Sequence, residues 1–477
     1  MIFRLIYRGD TPLTITTVSG ASAFTAALTA AKPGDTILLA PGTYSNITLS
    51  HISESSLVNI SSADPNNEAV FVNLNISGCN ALNFTNLALS TTGSNALSDA
   101  TIYMSKNIHF NNINAYGNVG TAVSNETQAG FNIGRSWDVT ISNSDIHDLK
   151  FGILFNNDSN MVFSGNSISN IREHGMDGIS SNLTITNNVF SDIYPQGTDH
   201  PDGIIITTAG EAPSTPLSTN INISDNLFLR GNGQPFQGIY VKDDAGDLPF
   251  QNVTISNNDL AGTSYNGIMV QDGHNIAISN NIVAGFADQM SWIRLVQVNG
   301  VSLTSNQAQE YLYTNVTAMT QSQNVTGGAV SDSGRALAIA WLEANPQNVS
   351  ALTPSVQALL DSSAQTILIG ATANQALTGG LANAFIDGGA GNHTLTGGGG
   401  TDLFYFGTNI GHDVVTDFGA GGMHDMIDIS AFLTAGLQPT ETEVGASAVI
   451  SFSNGASITL LNTALTDLHP ATYGFIH

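Results

Sequence analysis

Between about residues 81 and 306 a short phrase keeps returning, two apolar residues flanking a polar one and then Asn-rich polar residues: ALNFTN, IHFNN, VTISNS, MVFSGN, LTITNN, INISDN, VTISNN, IAISNN and VSLTSN. The second apolar position (Phe84, Phe110, Ile141, Phe163, Ile185, Ile223, Ile255, Ile278, Leu303) recurs every 22 to 38 residues. Alternation with period two makes each phrase a strand with one inward face. The intervening segments lack the tight loops that join antiparallel neighbours. The strands are therefore expected to stack parallel, one per coil, with variable loops between them. The Asn three residues after the second apolar position (Asn166, Asn188, Asn226, Asn258, Asn281, Asn306) then recurs at the strand spacing of about 4.8 Å and is expected to form a side-chain amide ladder.

A second phrase, FGILF, DGISS, DGIII, QGIYV, NGIMV and SWIRL, occurs once per coil and centres on Ile153, Ile179, Ile204, Ile239, Ile268 and Ile293. It marks a second strand. Upstream, ASAFTAALTAAKPGDTILLAPGTYS reads as a short amphipathic helix followed by a strand and turn, a helix that caps the open end of the core. Downstream, RALAIAWLEANPQN and TPSVQALLDSSA read as two short helices broken by Pro346 and Pro354. A nine-residue repeat follows: GATANQALT, GGLANAFID, GGAGNHTLT and GGGGTDLFY, starting at Gly370, Gly379, Gly388 and Gly397. The fold expected is all-β: a right-handed parallel β-helix over 1–330, a helical cap or linker over 331–368, and a small parallel β-roll with the C-terminal region over 369–477.

Composition supports this. The 48 Gly and only 10% charged residues suit many turns and polar ladders, and 42% hydrophobic residues are ample for a continuous core. The formal charge of −26 opposes nucleic acid, whose phosphates require clustered Lys and Arg, and an anionic membrane surface. Most of the few cations (Lys106, Arg135, Lys150, Arg172, Arg230, Lys242, Arg294) lie in the middle of the chain. Cys79 is alone, so no intrachain disulfide is expected. The opening MIFRLIYRGDTP has too short an apolar run for a Sec signal peptide, and no run is long enough for a membrane span. Export by another signal is expected.

The nine-residue repeat resembles the RTX nonapeptide, Gly-Gly-x-Gly-x-Asp-x-apolar-x, whose Gly-rich turns and sixth-position Asp bind calcium in a parallel β-roll. The following FGTNIGHDVVTDFGAGGMHDMIDISAF is similar to the segment after such rolls in secreted proteases and alginate epimerases. Here the sixth position holds Gln375, Ala384, His393 and Asp402. The resemblance thus implies calcium at Asp402, helped by Asp387, and secretion through type I machinery to the extracellular space or cell surface.

Aligning the second phrases on their Ile puts Asp177 and Asp202 at one position of successive coils, about 5 Å apart. Carboxylates so close share a proton or a cation. Strand parity turns Tyr240, Lys242 and Arg294 outward. His174 and the Asp199-His200 pair lie just ahead of the two Asp-Gly-Ile phrases. Such a patch resembles the clefts of β-helix polysaccharide lyases and carbon-5 epimerases, which neutralise a uronate carboxylate and remove the acidified proton at carbon 5. The resemblance assigns Asp177, Asp199, Asp202 and His174 to substrate binding, Arg294 to the carboxylate, Lys242 or His200 to the base and Tyr240 to the proton donor. Two alternatives stand beside it. Asp177 and Asp202 are the acid and base of a glycoside hydrolase, or, with Gln237 and Asn266, rungs of an internal polar ladder in a non-catalytic surface or matrix protein. Trp137 and Trp292 offer sugar-stacking faces or core packing.

Overall fold

The computed structural model describes residues 13–91, 97–117, 126–208, 218–244, 250–420, 424–468 and 475–476. Its larger part is a right-handed parallel β-helix, in which 26 strands join into one continuous hydrogen-bonded system. Phe84, Phe110, Ile141, Phe163, Ile185, Ile223, Ile255, Ile278 and Leu303 pair in that order up one face, as the spacing predicts. They are fully buried and form one unbroken core with the apolar residues of the other faces. Between faces the chain turns at Asn166, Asn188, Asn226, Asn258, Asn281 and Asn306, each fully or almost fully buried. Each side-chain amide donates to the Oδ1 of the next at 2.9 Å, and Asn306 continues the ladder to Asn324 at 3.0 Å. The backbone N–H of each rung donates to the same oxygen. A buried polar turn is tolerated because its hydrogen bonds are made.

The second phrase needs a correction. Ile153 pairs with Met176, and Met176 with Ile204, while Ile179 lies opposite Asn156. Asp177 therefore sits beside Ile205, and the residue stacked under Asp202 is His174. Glycine sets this register. A Cβ on Gly152, Gly175 or Gly238 would lie 2.3, 2.6 or 2.4 Å from the carbonyl oxygen of Gly175, Gly203 or Gly267 in the next coil. Only glycine can stack on glycine there, so the phrase is x-Gly-Ile/Met, and His174-Gly175-Met176 is its member in that coil.

Helix α1 (Ala21–Ala30) closes the N-terminal end with Phe24 and Leu28 buried. Helices α2 (Arg335–Ala344) and α3 (Pro354–Leu360) lie along the flank, where Ile339, Trp341, Leu342 and Val356 pack on Val189, Leu227, Leu229 and Ala261. They do not cover the last coil, whose strands Glu310–Thr314 and Thr317–Ser322 are largely exposed. The other side of this helical wedge meets Phe385, Leu403 and Tyr405 of the C-terminal unit, and Arg335 donates to the buried Asp428 at 2.7 Å.

That unit has two facing sheets, one wholly parallel and the other parallel with an antiparallel hairpin (Thr440–Val444, Ser447–Ser451) at its edge. Thr366 pairs with Ala384 and Ala376 with Thr394, so two nonapeptides make one turn of a roll. Gly380, Gly389 and Gly398 take φ of +107°, +69° and +95°, which explains the glycine at the second position of the repeat. Among the described residues no helix is long and apolar enough to cross a membrane.

Candidate functional site

An open cleft of about 480 Å³ lies on the outer side of the sheet containing Asp202–Thr207, Gln237–Lys242 and Ser291–Thr304. His200, Pro201, Gln237, Tyr240, Asn266, Trp292 and Arg294 contribute to its walls. The glycine column explains the position. A Cβ on Gly203 would point into the Phe228 ring and one on Gly238 at Leu260, so both glycines face the core. Strand alternation turns the residue before each glycine to the other side. One row up the molecule thus reads Phe151, His174, Asp202, Gln237, with Asn266 and Trp292 above. The neighbouring row reads Asp177, Ile205, Tyr240, Met269, Arg294.

Asp202 is fully buried. Its Oδ2 lies 3.0 Å from His200 Nδ1 and 3.2 Å from His174 Nδ1, the second contact lacking hydrogen-bond geometry. The His200 side chain is 58% exposed, so an imidazole held by a buried carboxylate reaches solvent at the cleft. The hydrogen bond to Asp202 raises the His200 pKa above 6.5, against an opposing effect of burial. Tyr240 packs edge-on to His200, ring centroids 5.9 Å apart, and burial raises its phenol above 10. Arg294 stands two coils above Tyr240, about 10 Å along the stack. No ion pair or hydrogen bond engages its side chain among the described residues, in contrast to Arg172, Arg230 and Arg335.

The other predicted site residues are engaged elsewhere or turned away from the cleft wall, although His174 touches Asp202. Lys242 lies one row over, level with Thr207 and Gln271, and its ammonium contacts Asp244; that hydrogen bond raises its pKa further. Asp199 receives a two-pronged contact from Arg172 (2.7 and 3.0 Å) and the Gln196 N–H. Burial pushes its pKa up, but these donors outweigh it and leave the carboxyl below the ordinary value. His174 is nearly buried and stacks on Phe151 at 5.7 Å. Burial raises the Asp177 pKa. The expected placement of Asp177 and Asp202 at one position of successive coils is overturned by the glycine register, though the Asp202 charge still adds to the rise at Asp177.

Trp292 lines the cleft, with Tyr265 tilted against it at 5.3 Å, while Trp137 is 42% exposed outside it. Gln237 and Asn266 were legible only as polar ladder positions. The missed signal is the residue before glycine in the coils up to Asn266, which lines the cleft at Gln237 and Asn266.

In the roll, Asp402 Oδ1 accepts the Ala384 N–H at 2.8 Å. Its pKa is pushed to about 6, by burial first and then by the nearby negative charge of Asp425 and Asp417. Asp387 lies in the neighbouring coil beside Tyr405, three positions further along the strand than Asp402, with Glu343 as its charged neighbour. The structure therefore does not bring Asp387 to Asp402. Among the described residues no three His, Cys, Asp or Glu side chains converge as ligands of one ion.

The family described as right-handed β-helix region matches residues 75–252. No curated protein sequence matches the chain. Among solved structures, the PL6-family alginate lyase AlyGC is 10% identical with a TM-score of 0.40, covering 87% of this chain and 72% of that one. The Azotobacter vinelandii mannuronan C-5 epimerase AlgE6 A-module is 12% identical, TM-score 0.35, covering 85% and 88%. PfbA, a surface adhesin of Streptococcus pneumoniae, is 13% identical, TM-score 0.37, covering 64% and 87%. An adhesin stands beside enzymes in this set, and likeness at this level transfers no activity.

Proposed function

We propose that the protein acts on an extracellular uronate-containing polysaccharide as a lyase or carbon-5 epimerase. The observation that carries this is the cleft's combination of a guanidinium, Arg294, that is unpaired among the described residues, with a carboxylate-held imidazole, His200, and a phenol, Tyr240, whose pKa burial raises. Arg294 neutralises the uronate carboxylate and so acidifies the proton at carbon 5. His200 Nε2 takes that proton, and the electron pair moves into the carboxylate as an enediolate. In elimination the pair returns to form the C4–C5 double bond while the C4–O4 bond breaks and Tyr240 protonates the departing oxygen. In epimerisation Tyr240 returns a proton to carbon 5 from the opposite face. His200 is preferred to Lys242 as base because the contact with Asp244 keeps the lysine protonated.

The test is incubation with a panel of uronate polymers, following ultraviolet absorbance of the new double bond and exchange of the carbon-5 proton with deuterated solvent. Either signal, lost in His200→Ala, supports the proposal. Binding of a polymer with neither signal replaces it with a non-catalytic glycan-binding role.

Calcium belongs to the proposal at the roll only, as a single ion at Asp402, where Asp417 and Asp425 add negative charge. No chemical step runs through it. A melting temperature that calcium raises in the wild type but not in Asp402→Asn supports this ion; no rise in either removes it. Export through type I secretion machinery is the corresponding proposal for 369–477, tested by whether deleting that region keeps the protein out of the medium.

A further inference from the structure

Four hydrogen bonds link the cleft residues in series across successive coils. Trp292 Nε1 donates to Asn266 Oδ1 at 3.0 Å, Asn266 Nδ2 donates to Gln237 Oε1, Gln237 Nε2 lies 2.8 Å from His200 Nε2, and His200 Nδ1 lies 3.0 Å from Asp202 Oδ2. The two ends differ in kind from the middle. An indole N–H can only donate, and an ionised carboxylate can only accept. The amides between them can turn either way in isolation, but not in this series. Because Trp292 donates, Asn266 must present its oxygen to the indole and its NH2 to Gln237. Gln237 must then present its oxygen to Asn266 and its own NH2 to His200. The imidazole meets a donor at Nε2 and an acceptor at Nδ1, so its one proton sits on Nδ1. A second proton, on Nε2, would face an N–H. Accommodating it requires Gln237 to turn over, then Asn266, and finally sets the Asn266 NH2 against the indole N–H.

We propose that Trp292 is a positioning residue for His200. Acting through Asn266 and Gln237, its indole N–H dictates that an amide N–H, and never an amide oxygen, meets the imidazole, which is thereby held neutral with Nε2 as its basic nitrogen. This deepens the reading of His200 as the base and rests on it for its catalytic meaning. The series opposes the other groups that face the imidazole. Asp202 and Glu173 favour a charged ring, His174 shares the Asp202 oxygen, and Tyr240 packs against the ring edge. A buried carboxylate alone would make His200 a stronger base and favour its charged form. The polarity of the series keeps the lone pair on Nε2, where an incoming C–H competes only with the Gln237 amide.

The experiment is an NMR titration of the histidine ring nitrogens in nitrogen-15-labelled full-length protein, with His200 identified by the signal lost in His200→Asn. The wild type should show Nδ1 protonated and Nε2 bare above the transition. Trp292→Phe keeps an aromatic ring and removes the donor, freeing both amides to turn, so the His200 pKa should rise by about 0.5 to 1 unit, the reach of one ordinary hydrogen bond. Asn266→Leu breaks the series at its middle and should give a similar rise, and the double variant should add nothing further. An unchanged His200 pKa in either single variant, or additive rises in the double, overturns the proposal. No substrate is involved, so these outcomes stand whether or not the polymer panel reveals turnover.

Discussion

Asp202 and Arg294 set the chemistry of the cleft in opposite ways, one as a buried carboxylate beside two imidazoles, the other as a cation with no ion pair or hydrogen bond among the described residues. Because Asp202 raises the His200 pKa above 6.5, and the base must be neutral, turnover should climb with pH through that raised value. Asp202→Asn should move this limb of a pH profile of carbon-5 proton exchange to lower pH; a limb that stays in place removes Asp202 from the role. The stability linkage has its own sign. A raised histidine pKa contributes stability present below the unfolded value of 6.5 and lost as pH rises through the folded value. Arg294→Ala should abolish turnover yet change stability by no more than about 0.5 kcal/mol in a denaturant titration. Lys242→Ala should retain turnover, because its ammonium is engaged by Asp244. Strand parity made Tyr240 and Arg294 legible in the sequence, since alternation within one strand needs no knowledge of neighbours. The ion pair of Lys242 with Asp244 was legible too, two residues along the chain, whereas the partner of Asp199 was not, because Arg172 comes from the preceding coil.

The elements of the β-helix are held by two columns, glycine beside the cleft and Asn at the buried turn. At Gly238 an added Cβ would lie 2.2 Å from Leu260 Cδ2 and 2.4 Å from the Gly267 carbonyl oxygen, and the backbone atom cannot yield as a side-chain end can. Gly238→Ala should therefore destabilise the protein by roughly 1–3 kcal/mol in chemical denaturation. A loss near zero would mean that the coils can spread and that glycine does not set the register. Asn258→Ala removes a rung that both donates to Asn281 and accepts from Asn226 inside the core, and should cost about 1–3 kcal/mol through the unpaired groups it leaves. The Asn column could be read from sequence because its spacing from the apolar positions is constant. The glycine column was misread in one coil because Asp-Gly-Ile, a three-residue match, stands three positions after His-Gly-Met, the segment that actually stacks.

At the level of the whole molecule, the helical wedge joins helix and roll through an apolar seam and a few charged contacts. Glu343 of α2 and Asp387 of the roll meet in this seam, and burial raises both pKa values above their ordinary 4.5 and 3.8. A carboxyl with a raised folded pKa contributes stability at low pH that is lost as pH climbs from the ordinary value through the raised one. Glu343→Gln removes one of the two charges and keeps the side chain's shape. Its melting temperature should exceed that of the wild type at pH 8 and match it at pH 4; equal values at both would show that the pair shares no proton. A chain ending at residue 334 should aggregate, because it uncovers Val189, Leu227, Leu229 and Ala261, which size-exclusion chromatography would detect.

The sequence by itself determined the repeating strand, its inward face, the buried Asn ladder, the N-terminal cap and the nonapeptide roll, because each follows from spacing along the chain and from the period of two. Tertiary structure alone decided which residue of one coil lies on which residue of the next, and where α2 and α3 dock. Register between coils depends on close backbone approach, which only glycine permits, and insertions of variable length hide it from any count of residues. It also decided that a tryptophan, two amides, a histidine and an aspartate join in one polarised series. These residues span 93 positions of sequence, from His200 to Trp292. Stacking parallel strands at about 4.8 Å brings them within hydrogen-bonding reach.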